Sequence, residues 1–169
     1  MFQSDAWLSY GRRLRLLKRK EYPMKKTNPT GIIGWKAEYN TGIDRIDFEH
    51  KIFLELVNSF KIALDAGRTK EELVKILTEI EKYAEFHFIS EENCMFSINY
   101  PGYKQHQSLH FDLLEQFNLA KYEELGFSKF YEFIKDWFIM HTTQEDTRLK
   151  EFIDENNIEF DIFRYNISL

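Results

Sequence analysis

Five histidines carry the chemistry this chain can offer: His50, His87, His106, His110 and His141. Two of them have a partner at helical spacing. His87 has Glu91 four residues on, and His106 has His110 four residues on. On an α-helix such residues lie one above the other on the same face, so both side chains reach one centre. Imidazole nitrogens bind iron, copper, zinc or nickel, and a carboxylate can bridge two cations and offset their charge. His141 has two acidic candidates, Glu145 at i+4 and Asp146 at i+5. Regular geometry favours Glu145, because an i+5 side chain lies about 140° around the helix. Only a local wide turn would aim Asp146 instead. Five imidazoles and two carboxylates exceed the four ligands of a tetrahedral zinc. They suit two ions with coordination numbers of five or six.

Helices must bring these groups together. The first is expected from about Asp44–Asp47 to Ala66, with Ile46, Phe53, Leu54, Val57, Phe60 and Leu64 at three- and four-residue steps. Gly67 ends it. Thr69 and Glu72 form a capping box for the second, which carries Leu73, Ile76, Leu77, Ile80, Tyr83 and Ala84 to roughly Phe96. Asn99-Tyr100-Pro101-Gly102 is a turn. The third helix is expected from about Lys104 to Glu124, with Leu113, Leu114, Phe117 and Ala120 facing in. Gly126 stops it and Ser128 can cap the fourth, which carries Phe130, Phe133, Ile134, Trp137, Leu149, Phe152 and Ile153.

Every histidine falls on the apolar face of its helix. His50 follows Ile46 by four, His87 continues the series through Tyr83, His106 and His110 precede Leu113 and Leu114, and His141 follows Trp137. A single such histidine is most simply a core residue bonded to a carbonyl. Five at one depth, beside carboxylates, point to a metal cluster in a bundle core. The expected fold is all-α: an up-down-up-down four-helix bundle with N- and C-terminal extensions.

Composition agrees. Only 7 Gly and 3 Pro in 169 residues argue against a many-stranded sandwich, and 16 Phe supply a bulky core. Cys94 is the single cysteine, so no internal disulfide forms. The N-terminal residues lack the apolar run of a signal peptide and no 18-residue apolar run exists, so a cytoplasmic location is expected.

Thr27-Asn28-Pro29-Thr30-Gly31 marks a boundary. Residues 1–30 then form a basic arm, residues 31–154 the domain and residues 155–169 a tail. The arm holds eight Lys/Arg against Asp5 and Glu21, a net +6, which leaves −11 of the chain's −5 to residues 31–169. An acidic body disfavours nucleic acid as a partner. With Trp7, Leu8, Leu14, Leu16 and Leu17, the arm reads as a basic amphipathic helix for an anionic membrane surface or a protein partner, or else as a solvated terminus. The tail alternates apolar and polar residues from Ile158 on, as an extended segment does.

The series His50, His87-x-x-x-Glu91, His106-x-x-x-His110 and His141-x-x-x-x-Asp146 resembles the complete iron-ligand signature of the hemerythrin family. Gly42-Ile43-Asp44-Arg45-Ile46-Asp47-Phe48-Glu49-His50, His87-Phe88 with Glu91-Glu92 and Met95, Tyr100-Pro101, and Trp137 before His141 resemble it too. The likeness covers about residues 33–153, most closely to single-domain bacterial members. It implies Asp146 rather than Glu145 as the ligand. It implies two non-heme irons, one held by His106, His110 and His141, the other by His50 and His87 with an open position. Glu91 and Asp146 would bridge them together with a solvent-derived oxygen.

The resemblance also implies reversible binding of molecular oxygen in a dry pocket. Phe53, Phe88 and Trp137 supply apolar walls one turn or less from ligands, and all three serve core packing as well. Two positions depart from the commonest pattern: Phe53 stands where Leu is usual and Thr142 where Ile is usual. Phe53 would narrow oxygen access. Thr142 would either place a hydroxyl near the open site or bond it back to its own helix.

The function expected is oxygen storage, transport or delivery by a monomer or small homo-oligomer, not an enzyme. The alternatives are a di-iron enzyme acting on peroxide or nitric oxide, and an oxygen or redox sensor.

Overall fold

The computed structural model describes residues 31–122 and 126–158. The basic arm, the expected end of the third helix near Glu124 and the tail beyond Ile158 lie outside the described residues. The bundle belongs to a compact unit that begins at Ile32.

Four helical rods pack against one another, and no strand is present among the described residues. They are α1 (Asp44–Asp65), α2 (Lys70–Ser97), α3 (Tyr103–Tyr122) and a fourth rod in three pieces. That rod runs as α4 (Phe127–Met140), a π-helical turn (His141–Glu145) and α5 (Asp146–Glu155). α1 packs on α2 and α4, and α2 packs on α3.

The helix ends follow local chemistry. Before α1, the Asp47 carboxylate accepts from the Thr41 N–H at 2.6 Å, the Thr41 hydroxyl at 2.9 Å and the Gly42 N–H at 3.3 Å. This fastens the lead-in, with its 3₁₀ turn Ala37–Tyr39, to the first turn of the helix. α1 stops at Gly67, whose φ of 67° lets the Gly67 and Arg68 N–H groups reach back to Leu64 and Ala63. Asn99, at φ 53°, closes α2 the same way, with the Tyr100 N–H on the Met95 carbonyl. The Thr69–Glu72 capping box forms as expected: the Glu72 N–H meets the Thr69 hydroxyl at 3.3 Å and the Thr69 N–H meets the Glu72 carboxylate at 2.9 Å. The expected cap at Ser128 does not form. Gly126 is the N-cap of α4 and makes no side-chain bond, so Ser128 sits inside the first turn.

The core falls into two clusters. The larger holds Phe53, Val57, Phe60, Leu77, Ile80, Phe88, Phe117, Phe130, Ile134 and Phe138, with Tyr39 beside them. The smaller holds Ile43, Ile46, Met95, Leu149 and Ile153. Along each rod the histidines lie between the two. On α1 His50 separates Ile46 from Phe53, and on α2 His87 separates Ala84 from Met95. The ligand candidates are therefore a polar layer walled by hydrocarbon at both ends. No helix among the described residues is long and apolar enough to cross a membrane.

Thr69→Ala removes both reciprocal bonds of the capping box. Unfolding in urea should show a loss of about 1 kcal/mol.

Candidate metal centre

All seven ligand candidates meet in this layer, and none is more than 4% exposed. His50 comes from α1, His87 and Glu91 from α2, His106 and His110 from α3. His141 and Asp146 stand at the two ends of the π turn. That turn resolves the ambiguity in the spacing. The Asp146 N–H donates to the His141 carbonyl, five residues back, and the wider turn rotates Asp146 inward. Glu145 faces away, with Oε2 at 2.5 Å from Arg148 Nη1.

The inward atoms form two overlapping groups. His106 and His110 Nε2 each lie 3.1 Å from His141 Nε2. Glu91 Oε2 approaches His110 at 3.2 Å and His106 at 3.3 Å. Asp146 Oδ1 approaches His141 at 3.2 Å, while its other oxygen lies 3.4 Å from His50 Nε2. His50, His87 and Glu91 offer ligand atoms within 4.8 Å of one another, as do Glu91, His106, His110 and His141. Glu91 thus belongs to both groups, and Asp146 turns one oxygen toward each.

The outer nitrogens are tied down by carboxylates that the sequence reading did not single out. His87 Nδ1 lies 3.1 Å from Glu49 Oε2, and His110 Nδ1 lies 3.0 Å from Glu92 Oε1. Glu49 also accepts from Arg45 Nε and the Ser90 hydroxyl, both at 2.9 Å, and Glu92 accepts from Gln107 Nε2 at 2.7 Å. A carboxylate at Nδ1 favours the ring proton there and leaves the Nε2 lone pair facing inward. A signal was present for Glu49. It stands three residues after Ile46 and four before Phe53, on the face that the periodicity assigns to the core.

Lone pairs therefore converge on lone pairs. Both oxygens of Glu91, both oxygens of Asp146 and both nitrogens of His50 are buried without a hydrogen-bond partner. Each such group costs about 1–3 kcal/mol when unpaired, and more when charged. Cations are what this donor set fits.

Protonation follows the same crowding. Burial, then the neighbouring His87, pushes His50 down to about 3 against the pull of Glu91. Burial and the imidazoles of His110 and His106 hold His141 well below its ordinary value. Burial and the Glu91 charge raise Asp146 well above the usual carboxylate range. Burial also works to raise Glu91, but the imidazoles that crowd it, His106 first and then His110 and His87, outweigh it and hold the group well below the usual carboxylate range. The raised Asp146 beside Glu91 favours a proton on the pair, and bound cations would compete with it.

The hemerythrin HHE cation binding domain matches residues 41–153. The chain belongs to the hemerythrin family. It is 27% identical to the bacteriohemerythrin of Clostridium acetobutylicum over 129 residues, which are 71% of this chain and 98% of that protein. It is 24% identical to the bacteriohemerythrin of Campylobacter jejuni over 117 residues, 66% of this chain and 88% of that one. With the bacteriohemerythrin of Pseudomonas aeruginosa it shares 30% identity over 76 residues, 45% and 49% of the two chains.

A cavity of about 10 Å³ adjoins the cluster, lined by His50, Phe53, His87, Phe88, Trp137, Phe138, His141 and Thr142. That is space for about one water-sized molecule. All four residues expected to wall a pocket are present, and Phe138 joins them. Phe138 stacks on Phe53 at 5.7 Å and meets the His50 ring edge-on at 5.9 Å. Trp137 stacks on His141 at 4.5 Å, and Phe88 on His110 at 3.9 Å. The Thr142 hydroxyl donates to the Phe138 carbonyl at 2.9 Å, so of its two readings the structure shows the bond back to the helix.

Glu49→Ala and Glu92→Ala each free a ligating ring to rotate. Metal affinity, measured by competition with a chelator, should fall by roughly 10–100-fold in each, with the helix content intact.

Proposed function

We propose that this protein binds molecular oxygen reversibly at a bridged pair of iron ions, for storage, transport or delivery. One observation carries the reading: the cavity opens on the side of the cluster that has fewer imidazoles. His106, His110 and His141 crowd one position and only His141 of them reaches the cavity, whereas His50 and His87 flank the other position and both line the cavity.

In this reading His106, His110 and His141 would hold one iron and His50 and His87 the second, with Glu91 and Asp146 available to both. A bound ferrous pair supplies two electrons, one from each ion, for reversible bonding to oxygen. The protein's part is to admit a small molecule and to keep water and protons out. Phe53, Phe88, Trp137 and Phe138 enclose the space with rings that offer no acid. The one hydroxyl among the lining residues, that of Thr142, is already donated to a carbonyl. Apart from the histidines, no lining side chain holds a proton suited to cleaving bound oxygen, which favours a carrier over an enzyme.

The experiment is stopped-flow mixing of the diferrous protein with oxygen, followed by evacuation. A visible absorption that forms on mixing and reverts under vacuum supports carriage. Irreversible oxidation with continued oxygen uptake overturns it. Trp137→Leu thins the wall against His141 and should quicken autoxidation several-fold, read as the decay of the same absorption.

A further inference from the structure

Aiming Asp146 requires the helix to hold a register it does not prefer, and that register leaves a gap in the backbone bonding. The Asp146 N–H goes to the carbonyl of His141, five residues back. α5 begins at Asp146, and a regular four-residue register from there would send the Thr147 N–H to Thr143. That return to regular register would pass over the Thr142 carbonyl. A passed-over carbonyl in a half-buried helix costs free energy and favours collapse of the wide turn.

Three threonine hydroxyls line this stretch. Thr142 donates to the Phe138 carbonyl at 2.9 Å and Thr143 to the Ile139 carbonyl at 2.6 Å, one turn before the π turn. Thr147 Oγ1 lies 3.3 Å from the Thr142 carbonyl, the one the register change skips. The first two bonds are ordinary for threonine in a helix. The third spans five residues and supplies a donor at the carbonyl that the change of register would leave without one.

We infer that Thr147 is a positioning residue for the metal site: its hydroxyl satisfies the skipped Thr142 carbonyl, holds the π turn open and so keeps Asp146, rather than Glu145, facing the cluster. Collapse to regular α geometry would withdraw Asp146 and bring the i+4 residue round toward the site. Thr147 touches no ligand atom and acts only through the turn. The inference rests on the metal reading for its consequence, but its structural part concerns the chain alone.

The test compares Thr147→Val, which keeps shape and loses the donor, with Thr147→Ser, which keeps the donor. Amide hydrogen exchange is first measured on metal-free protein across residues 141–147. Exchange there should be about tenfold faster in Thr147→Val than in the wild type, and near the wild-type rate in Thr147→Ser. Iron release to a chelator from loaded protein should then quicken by about tenfold in Thr147→Val only. A general packing defect would instead speed exchange throughout α4 and α5 and would not be rescued by serine, which overturns the inference. Wild-type exchange and wild-type iron release in Thr147→Val overturn it as well. Failure of the wild type to take up iron would count against the metal reading, while the exchange comparison still decides the role of Thr147.

Discussion

Two carboxylates and five imidazoles are withdrawn from water at one level of the bundle, with their unshared electron pairs turned toward each other. In hydrocarbon surroundings that arrangement is unstable unless positive charge enters it. The surrounding structure is built around this constraint. Apolar clusters wall the layer on both sides, Glu49 and Glu92 fix ring orientations from outside, and the fourth rod gives up regular helix geometry at the one place where a second carboxylate is needed. Part of the folding free energy in the metal-bound state is then metal-binding free energy.

The asymmetry of the cluster connects structure to function. Three imidazole Nε2 atoms converge at one position, and two imidazoles flank the other. The cavity sits beside the poorer position and is walled mainly by aromatic rings. The rings that exclude water also stack on the ligating imidazoles, Phe88 on His110 and Trp137 on His141. Packing and the orientation of the candidate ligands are therefore one set of contacts, and a change in the wall would reach a cation held there.

Much of this was legible in the sequence for physical reasons. Ligands spaced i, i+4 on amphipathic helices can only share a face, so His87 with Glu91 and His106 with His110 were readable from spacing alone. The helix boundaries at Gly67, Thr69 and Asn99 were readable because capping and left-handed turns demand those residue types. The choice of Asp146 over Glu145 was not readable from spacing, because it depends on a departure from regular geometry. The resemblance to hemerythrins supplied it, and the π turn explains it. The direction of the Thr142 hydroxyl was open for a similar reason, since one rotamer decides it. Ser128 had the right type for a cap and the wrong place, because Gly126 already begins the helix. Glu49 and Glu92 stood in the motif strings without a role, because the imidazoles they orient lie on other helices.

Anomalous diffraction at the iron edge, on crystals of protein purified with its native metal, tests the central claim most directly. The account predicts two iron peaks per chain, one among His106, His110 and His141 and one beside His50 and His87, with Glu91 and Asp146 touching both. A single peak, or density that proves to be one zinc ion, would contradict it.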